Sequence, residues 1–410
     1  LQEPRVVLFL LLLVTAVGLN LAGLFEFRSV CQLRGARKSF QAPRARLMRD
    51  GLAIDKWIVL AVVCLLALGM TMVLSTSYLY SQERYGDGTY FFRKQLLAMG
   101  AGAAALVACS MVPSALYRRF AYPLLAVSFI FLTLVLVPGI GVSRGGARRS
   151  SHPAPSVWAS TISRGWTLST SAFRPRSSAS CWRAFSVGVL PHLLVSGAFA
   201  GVLLLEPDFG SALILTMLLY FMLFVGGARV HHLLATLLTA LPLLVYVMTQ
   251  AEYRLRRLLT FLDPWSDAAG SGFHVIQSLI AFGSGQIWGR GLGESRQKLF
   301  YLPEAHTDFV YSVVGEELGL LGAWAVLALF GVIIMRGLRL TAKIEEPFDH
   351  YLAFGLTALL GVQALIHMGV VMGLMPTKGL VLPFISYGGS AMVINLMAAG
   401  ILLGLSRRRL

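Results

Sequence analysis

The sequence predicts an all-α fold, a polytopic transmembrane helical bundle of about nine to ten spans. Three observations carry that prediction. Of the 410 residues, 56% are hydrophobic and only 13% are charged, whereas a soluble domain carries about 25% charged residues. The apolar residues fall in runs near the roughly 20 residues a helix needs to cross a bilayer. Those runs do not alternate as barrel strands would, and only helices and closed barrels satisfy their backbone in lipid.

In chain order the predicted spans are Val6–Phe25, Trp57–Ser77, Leu96–Val112, Tyr122–Val142, Phe185–Leu205, Ser211–Gly227, His232–Thr249, Phe309–Met335, Tyr351–Leu374 and Leu382–Leu403. The net charge of +16 does not read as nucleic-acid binding. The basic residues cluster in the gaps between spans, where they set orientation. The segment Arg28–Lys56 holds eight Lys/Arg against two Asp/Glu, which places it in the cytoplasm. Arg118 and Arg119, Arg229, the run Arg336–Lys343 and Arg407–Arg409 then fall on the same side. Gln250–Asp308 becomes a long extracytoplasmic loop before the span at 309–335, and Pro376–Gly389 a second loop on that side.

Parity exposes a discrepancy in the middle of the chain. An even number of crossings must separate Arg119 from Arg229, yet three apolar runs lie there. The intervening stretch 150–184 is rich in Ser, Arg and Pro and has no apolar run of span length. Either Val157–Phe173 crosses despite Arg164, or the segment departs from the natural reading frame. The second alternative also explains why it resembles none of its neighbours, and it would leave the chain inactive.

The four cysteines, Cys31, Cys64, Cys109 and Cys181, have no CxxC spacing and carry no disulfide or metal signal. Cys64 and Cys109 fall within spans and read as packing residues.

Leu302–Phe309, LPEAHTDF, sets Glu304, His306 and Asp308 at the mouth of a span after a Gly-rich loop. Three ionisable groups there suggest chemistry on a substrate that itself sits in the membrane. Asp308 also suits a helix N-cap, and Glu304 a solvated loop carboxylate. Glu316 and Glu317 follow about 12 Å along a helix axis, either lining a substrate groove or holding helices together. Gln363 and His367 share a helix face and read as interhelical hydrogen-bonding groups. Asp208 and Glu206 close a tight outer turn, with Asp208 read as a cap. Gly283, Gly285, Gly289, Gly291 and Gly293 lack the βαβ context of a nucleotide loop and are expected to keep the outer loop mobile.

Several motifs, in order, resemble one family. Asp55 and Lys56 open a span ending GMTMVLSTS at Ser77, followed by YFFRKQ at 90–95. GARR at 146–149 precedes the anomalous segment, where the motif's expected Trp is replaced by Ser150. The match resumes at GVLPHL, 188–193, and runs through EPDFG, 206–210. It is strongest at RLRRLLTFLDPW, 254–265; QSLIAFGSGQIWGRGLG, 277–293; LPEAHTDFVYSVVGEELG, 302–319; and GLMPTKGLVLPFISYGGS, 373–390. Together they resemble the SEDS family (shape, elongation, division, sporulation), and the PTKG form at 376–379 resembles its division branch. The resemblance covers 55–403 apart from the anomalous 150–184. Residues 1–54 form an extra hydrophobic segment with a basic linker outside it. Val7–Phe27 faintly resembles a span of DsbD-type thiol–disulfide transporters and also suits a signal anchor. With the initial Leu, this hints at a fused N-terminus.

The resemblance implies a peptidoglycan glycosyltransferase that polymerises lipid II at the outer face of the bacterial cytoplasmic membrane, at the division septum. It implies a class B penicillin-binding transpeptidase as partner. Asp308 matches the family's catalytic aspartate. A lipid-linked diphosphate leaves as an anion, so one base and some cationic stabilisation suffice, where ordinary glycosidases need two carboxylates. Glu304, His306 and Glu316 are expected at the substrate, and Glu304 could also help hold a divalent cation (Mg or Mn). Lys378, with Arg254, Arg256 or Arg257, could neutralise the diphosphate. For the arginines, snorkelling to the interface is the alternative. On composition alone, a flippase for the same lipid competes. A transporter, however, concentrates its site near the midplane, and these carboxylates lie at the outer surface.

Overall fold

A computed structural model describes residues 55–135, 141–144, 147–150, 189–206, 208–249, 259–268, 270, 272–295, 297 and 306–407. The predicted span Val6–Phe25 and the anomalous residues 151–184 lie outside these. The described chain is a helical bundle: α1 Lys56–Tyr85, α2 Tyr90–Met111, α3 Ser114–Val135, α4 Leu190–Leu205, α5 Phe209–Val225, α6 Val230–Thr249, α7 Phe273–Gly285, α8 Val310–Glu317, α9 Gly319–Lys343, α10 Pro347–Val371 and α11 Gly389–Arg407. Six of these (α1, α2, α3, α9, α10 and α11) are long and apolar enough to cross a membrane, and α4, α5 and α6 are shorter apolar helices. The chain is a multi-pass membrane protein. A short antiparallel hairpin, β1 Gly141–Arg144 and β2 Ala147–Ser150, pairs Val142 with Arg149 and carries part of the GARR motif.

One face of the bundle is fixed by Asp55. Its carboxylate caps α1 by accepting from Trp57 N and Ile58 N. It also takes a bidentate pair from Arg336 of α9, with Nε 2.8 Å and Nη2 2.8 Å from Oδ2. The Asp55 N–H donates to Ser406 Oγ of α11 at 3.4 Å. Three helices are thus tied at one end through Asp55: its buried carboxylate is paired as a buried charge requires, and its N–H reaches α11. Small residues allow the remaining close contacts. A Cβ on Gly404 would sit 2.7 Å from Ser110 O, and one on Gly400 would overlap the Leu106 carbonyl, so α2 and α11 pack backbone to backbone. The main core joins α1, α8, α9, α10 and α11 through Leu65, Met72, Val313, Phe330, Leu360 and Leu402.

α1 serves as a ruler. Ser75 lies about 30 Å from Asp55 along its axis, and Tyr80 about 37 Å. Ser75 Oγ donates to Glu317 at 2.5 Å, and Tyr80 stacks on His306. Glu317 therefore stands near the far edge of a hydrocarbon layer about 30 Å thick, and the 306–308 segment stands beyond it.

The predicted span 309–335 is two helices. The crossing helix is α9, Gly319–Lys343, and α8 is a separate, wholly buried helix ahead of it. The chain turns between them at Gly319, φ +68°, which a Cβ would strain. There the Gly-rich loop docks. Gly291 N donates to Glu317 O at 3.0 Å, and Leu320 N to Gln286 O at 2.9 Å. A Cβ on Gly289, φ +80°, would overlap the Glu317 carbonyl. Gly285, Gly289 and Gly319 serve close backbone approach here, whereas a Cβ on Gly283 would meet open space.

The direction of the helices bears on the parity argument. α3 begins at the Asp55 face, where Arg118 lies 3.9 Å from Glu346 ahead of α10. α4 ends at Glu206, beside Asp208, which lies against Lys378 on the opposite face. α3 and α4 thus run the same way, packed through Phe129 and Phe199. The chain leaves α3 at one face and enters α4 at the other.

Candidate active site

The Asp308 face is assembled from three segments far apart in sequence. The first is the turn entering α8. Its N-cap is Phe309, which makes no side-chain cap bond, so Asp308 precedes the cap and does not serve as one. Phe309 stacks on His274 of α7 at 5.7 Å. The Asp308 side chain is half-buried and lies against the second segment, the loop between α10 and α11. A Cβ on Gly379 would sit 2.7 Å from Asp308 Oδ2. One residue earlier, Lys378 reaches the third segment, the start of α5. Its Nζ lies 4.0 Å from Asp208 Oδ1, and Asp208 caps α5 by accepting from Ser211 N at 3.0 Å.

The α10–α11 loop is rigidly held. Leu380 O takes a 2.6 Å hydrogen bond from His367 Nδ1, so His367 braces the loop two residues from Lys378 instead of pairing with another helix. Gln95 of α2 donates to Ser386 O at 3.2 Å and accepts from Gly388 N at 3.2 Å. Tyr387 N donates to His306 O at 2.9 Å. A Cβ on Gly69 of α1 would overlap the carbonyl of Phe384, so α1 also presses on this loop.

Among the other predicted site residues, His306 is buried in an aromatic cage of Tyr80, Phe91 and Tyr387, with centroids 5.5, 5.3 and 5.8 Å away. Glu316 is 1% exposed. It accepts from Ser284 Oγ at 3.2 Å, from Ser295 Oγ and from Gln297 N at 3.4 Å, with Arg290 Nη1 4.0 Å away. That geometry supports the helix-holding alternative: Glu316 clamps the Gly-rich loop onto α8. Glu304 and Arg254 lie outside the described residues. Among the described residues, no three His, Cys, Asp or Glu side chains gather to hold a metal ion. Glu304, the residue expected to help hold a divalent cation, is not one of the described residues.

Motif position points to Asp308 and Lys378, but only the structure brings Gly379, Gly210 and Gln95 to this face. The PTKG motif carried a signal for Gly379, whereas nothing local marks Gln95. Glu206, 6% exposed, sits at the end of α4. Burial first, and the Asp208 charge second, raise its pKa from 4.5 to about 7.

The model of the FtsW/RodA/SpoVE cell cycle proteins matches residues 56–410. The chain belongs to this family. A relative from Geobacter metallireducens, a probable peptidoglycan glycosyltransferase FtsW, is 40% identical over 355 residues, covering 86% of this chain and 95% of its own. The stage V sporulation protein E of Bacillus subtilis is 36% identical, covering 86% and 97%. Among solved structures, a chain from a peptidoglycan synthase complex that coordinates polymerization and crosslinking superposes with TM-score 0.69 at 31% identity, covering 87% of this chain and 99% of that one. The rod shape determining protein RodA of Thermus thermophilus gives TM-score 0.63 at 26% identity, covering 87% and 98%. FtsW/RodA/SpoVE proteins are the SEDS family that the motifs resemble, and the match spans every described helix.

Proposed function

We propose that this chain is a peptidoglycan glycosyltransferase that polymerises lipid II at the outer face of the bacterial cytoplasmic membrane during division. The observation that carries this is the convergence of a half-exposed carboxylate, Asp308, with the loop bearing Lys378, on the face opposite the Asp55–Arg336 pair. The relatives named as FtsW glycosyltransferases support it.

The chemistry follows from these groups. The acceptor sugar hydroxyl attacks the anomeric carbon of the donor. The carbon–oxygen bond to the lipid diphosphate breaks, and its electron pair leaves on the diphosphate. The hydroxyl proton passes to the Asp308 carboxylate, a general-base role worth roughly 10² to 10⁴ in rate. The Lys378 ammonium stabilises the departing diphosphate. The substrate lies in the membrane, and a site at the far edge of the hydrocarbon admits the lipid tail sideways while keeping the sugars in water. A class B penicillin-binding transpeptidase would crosslink the strands. The similarity to a chain of a peptidoglycan synthase complex supports such a partner.

The test is polymerisation of labelled lipid II by the chain reconstituted in vesicles. The wild type makes glycan polymer and Asp308→Ala makes none. Wild-type polymer from the variant removes Asp308 as the base. Movement of the lipid across the bilayer without polymer favours the flippase.

A further inference from the structure

Resting on the glycosyltransferase reading, we propose that the start of α5 forms a seat for Lys378, in which Asp208 and Gly210 act as positioning residues for its ammonium. Two independent contacts point to it. Lys378 Nζ lies 4.0 Å from Asp208 Oδ1, with the lysine side chain 17% exposed. Its alkyl stem also lies flat on the α5 backbone at Gly210, where a Cβ would overlap Lys378 Cδ and Cε. Gly210 itself is helical, so its lack of a side chain serves the lysine and not a turn.

The seat solves an electrostatic problem. The first turn of a helix carries partial positive charge from its free N–H groups and repels a cation. Asp208 reverses that sign locally: Oδ1 accepts from Ser211 N at 3.0 Å and faces Nζ. The cap that orders α5 therefore also orients the carboxylate toward the lysine. The neighbouring residue then meets Asp308, because a Cβ on Gly379 would sit 2.7 Å from Oδ2. Displacing the Lys378 stem by a side chain at 210 moves the residue next to the one packed on the base. In this arrangement the seat fixes an ammonium that a long flexible side chain would otherwise wave through many rotamers.

Three readouts test the proposal on the full-length protein in vesicles with labelled lipid II. Asp208→Asn and Gly210→Ala each lower kcat/KM by about tenfold or more, of the order expected when a charged partner is misplaced. Asp208→Glu recovers part of the loss. In a Lys378→Met background, Asp208→Asn changes the residual rate by less than about twofold, because residues acting through one another are non-additive. A merely structural Asp208 would give the same factor in both backgrounds. Gly210→Ala improves helix propensity, so its loss of activity cannot come from a weaker helix.

The third readout does not need turnover. With an amine-acylating reagent and mass spectrometry, labelling of Lys378 rises severalfold in Asp208→Asn and Gly210→Ala while the other lysines are unchanged. Unchanged Lys378 labelling, or additive rate effects, overturns the seat. If the wild type makes no polymer yet the labelling shift appears, the glycosyltransferase reading fails and the seat stands.

Discussion

Replacing Glu316 with Ala should open the Gly-rich loop locally without unfolding the bundle. The carboxylate is almost fully buried and accepts from Ser284 Oγ, Ser295 Oγ and Gln297 N, with Arg290 beside it. Hydrogen bonds to a charged group contribute about 1.5–3 kcal/mol each. Removing one member of a buried, charge-bearing network typically costs about 3–5 kcal/mol. The backbone bonds from Arg290 N to Glu316 O and from Gly291 N to Glu317 O persist, so the lower end, about 3 kcal/mol, is the appropriate figure. That corresponds to roughly a hundredfold faster opening at 1.4 kcal/mol per decade. Hydrogen exchange in detergent or nanodiscs reads it directly. Amides of 285–295 should lose about two decades of protection, while those of α10 and α11 keep theirs. Glu316→Gln, which retains the shape and one acceptor, should lose about one decade. Unchanged protection in the Ala variant would refute the clamp, and equal loss throughout α10 and α11 would refute its local character.

Other consequences follow from the same contacts. Because the folded state holds the Glu206 proton more tightly than the unfolded chain, the contribution of Glu206 to stability is fully present at low pH. It declines as pH rises from about 4.5 to about 7, by roughly 3 kcal/mol from linkage. Glu206→Gln should flatten that decline in thermal unfolding at pH 5 and pH 8, and an unchanged slope would count against it. Asp55→Ala leaves Arg336 unpaired and uncaps α1, so melting in detergent should show a loss of about 3 kcal/mol. Equal melting of variant and wild type would deny the three-helix tie. His306→Phe should keep the ring stack with Tyr80, Phe91 and Tyr387 and retain polymerase activity within about threefold, whereas His306→Ala should lose stability by about 3 kcal/mol, as large-to-small aromatic changes do. Loss of activity in a stably folded Phe variant would instead give the imidazole a chemical role.

Much of this was legible in the sequence because lipid leaves few options. Apolar runs from Ser211 and Tyr351 became α5 and α10 with shifts of two to four residues at their ends, and the run from Trp57 became α1, eight residues longer at its C-terminal end. Basic residues placed Arg118 and Arg336 on one face, and the structure joins both to that face. Charge parity showed that one crossing was missing or one surplus between Arg119 and Arg229, and the parallel run of α3 and α4 favours a missing one. The break between α8 and α9 was not legible. Its residues read as one apolar run, and the turn at Gly319 exists only because Gly289 docks there from 30 positions away. For the same reason Glu316 could not be assigned a partner: Ser284 comes from the end of α7, and Ser295 and Gln297 from the loop after it. The motifs marked Asp308 and Lys378 as separate candidates. Their convergence depends on three segments packing through Gly379 and Gly210, where the absence of a side chain carries the information.

In the proposed reaction Asp308 takes a proton during transfer and does not serve to hold the fold. The most direct measurement pairs lipid II binding with single-turnover polymerisation for Asp308→Asn, which preserves shape against Gly379. Binding should stay within about threefold of wild type, and the transfer rate should fall by about 10² or more. Transfer at the wild-type rate, or a loss of binding that accounts for the whole effect, would contradict that role.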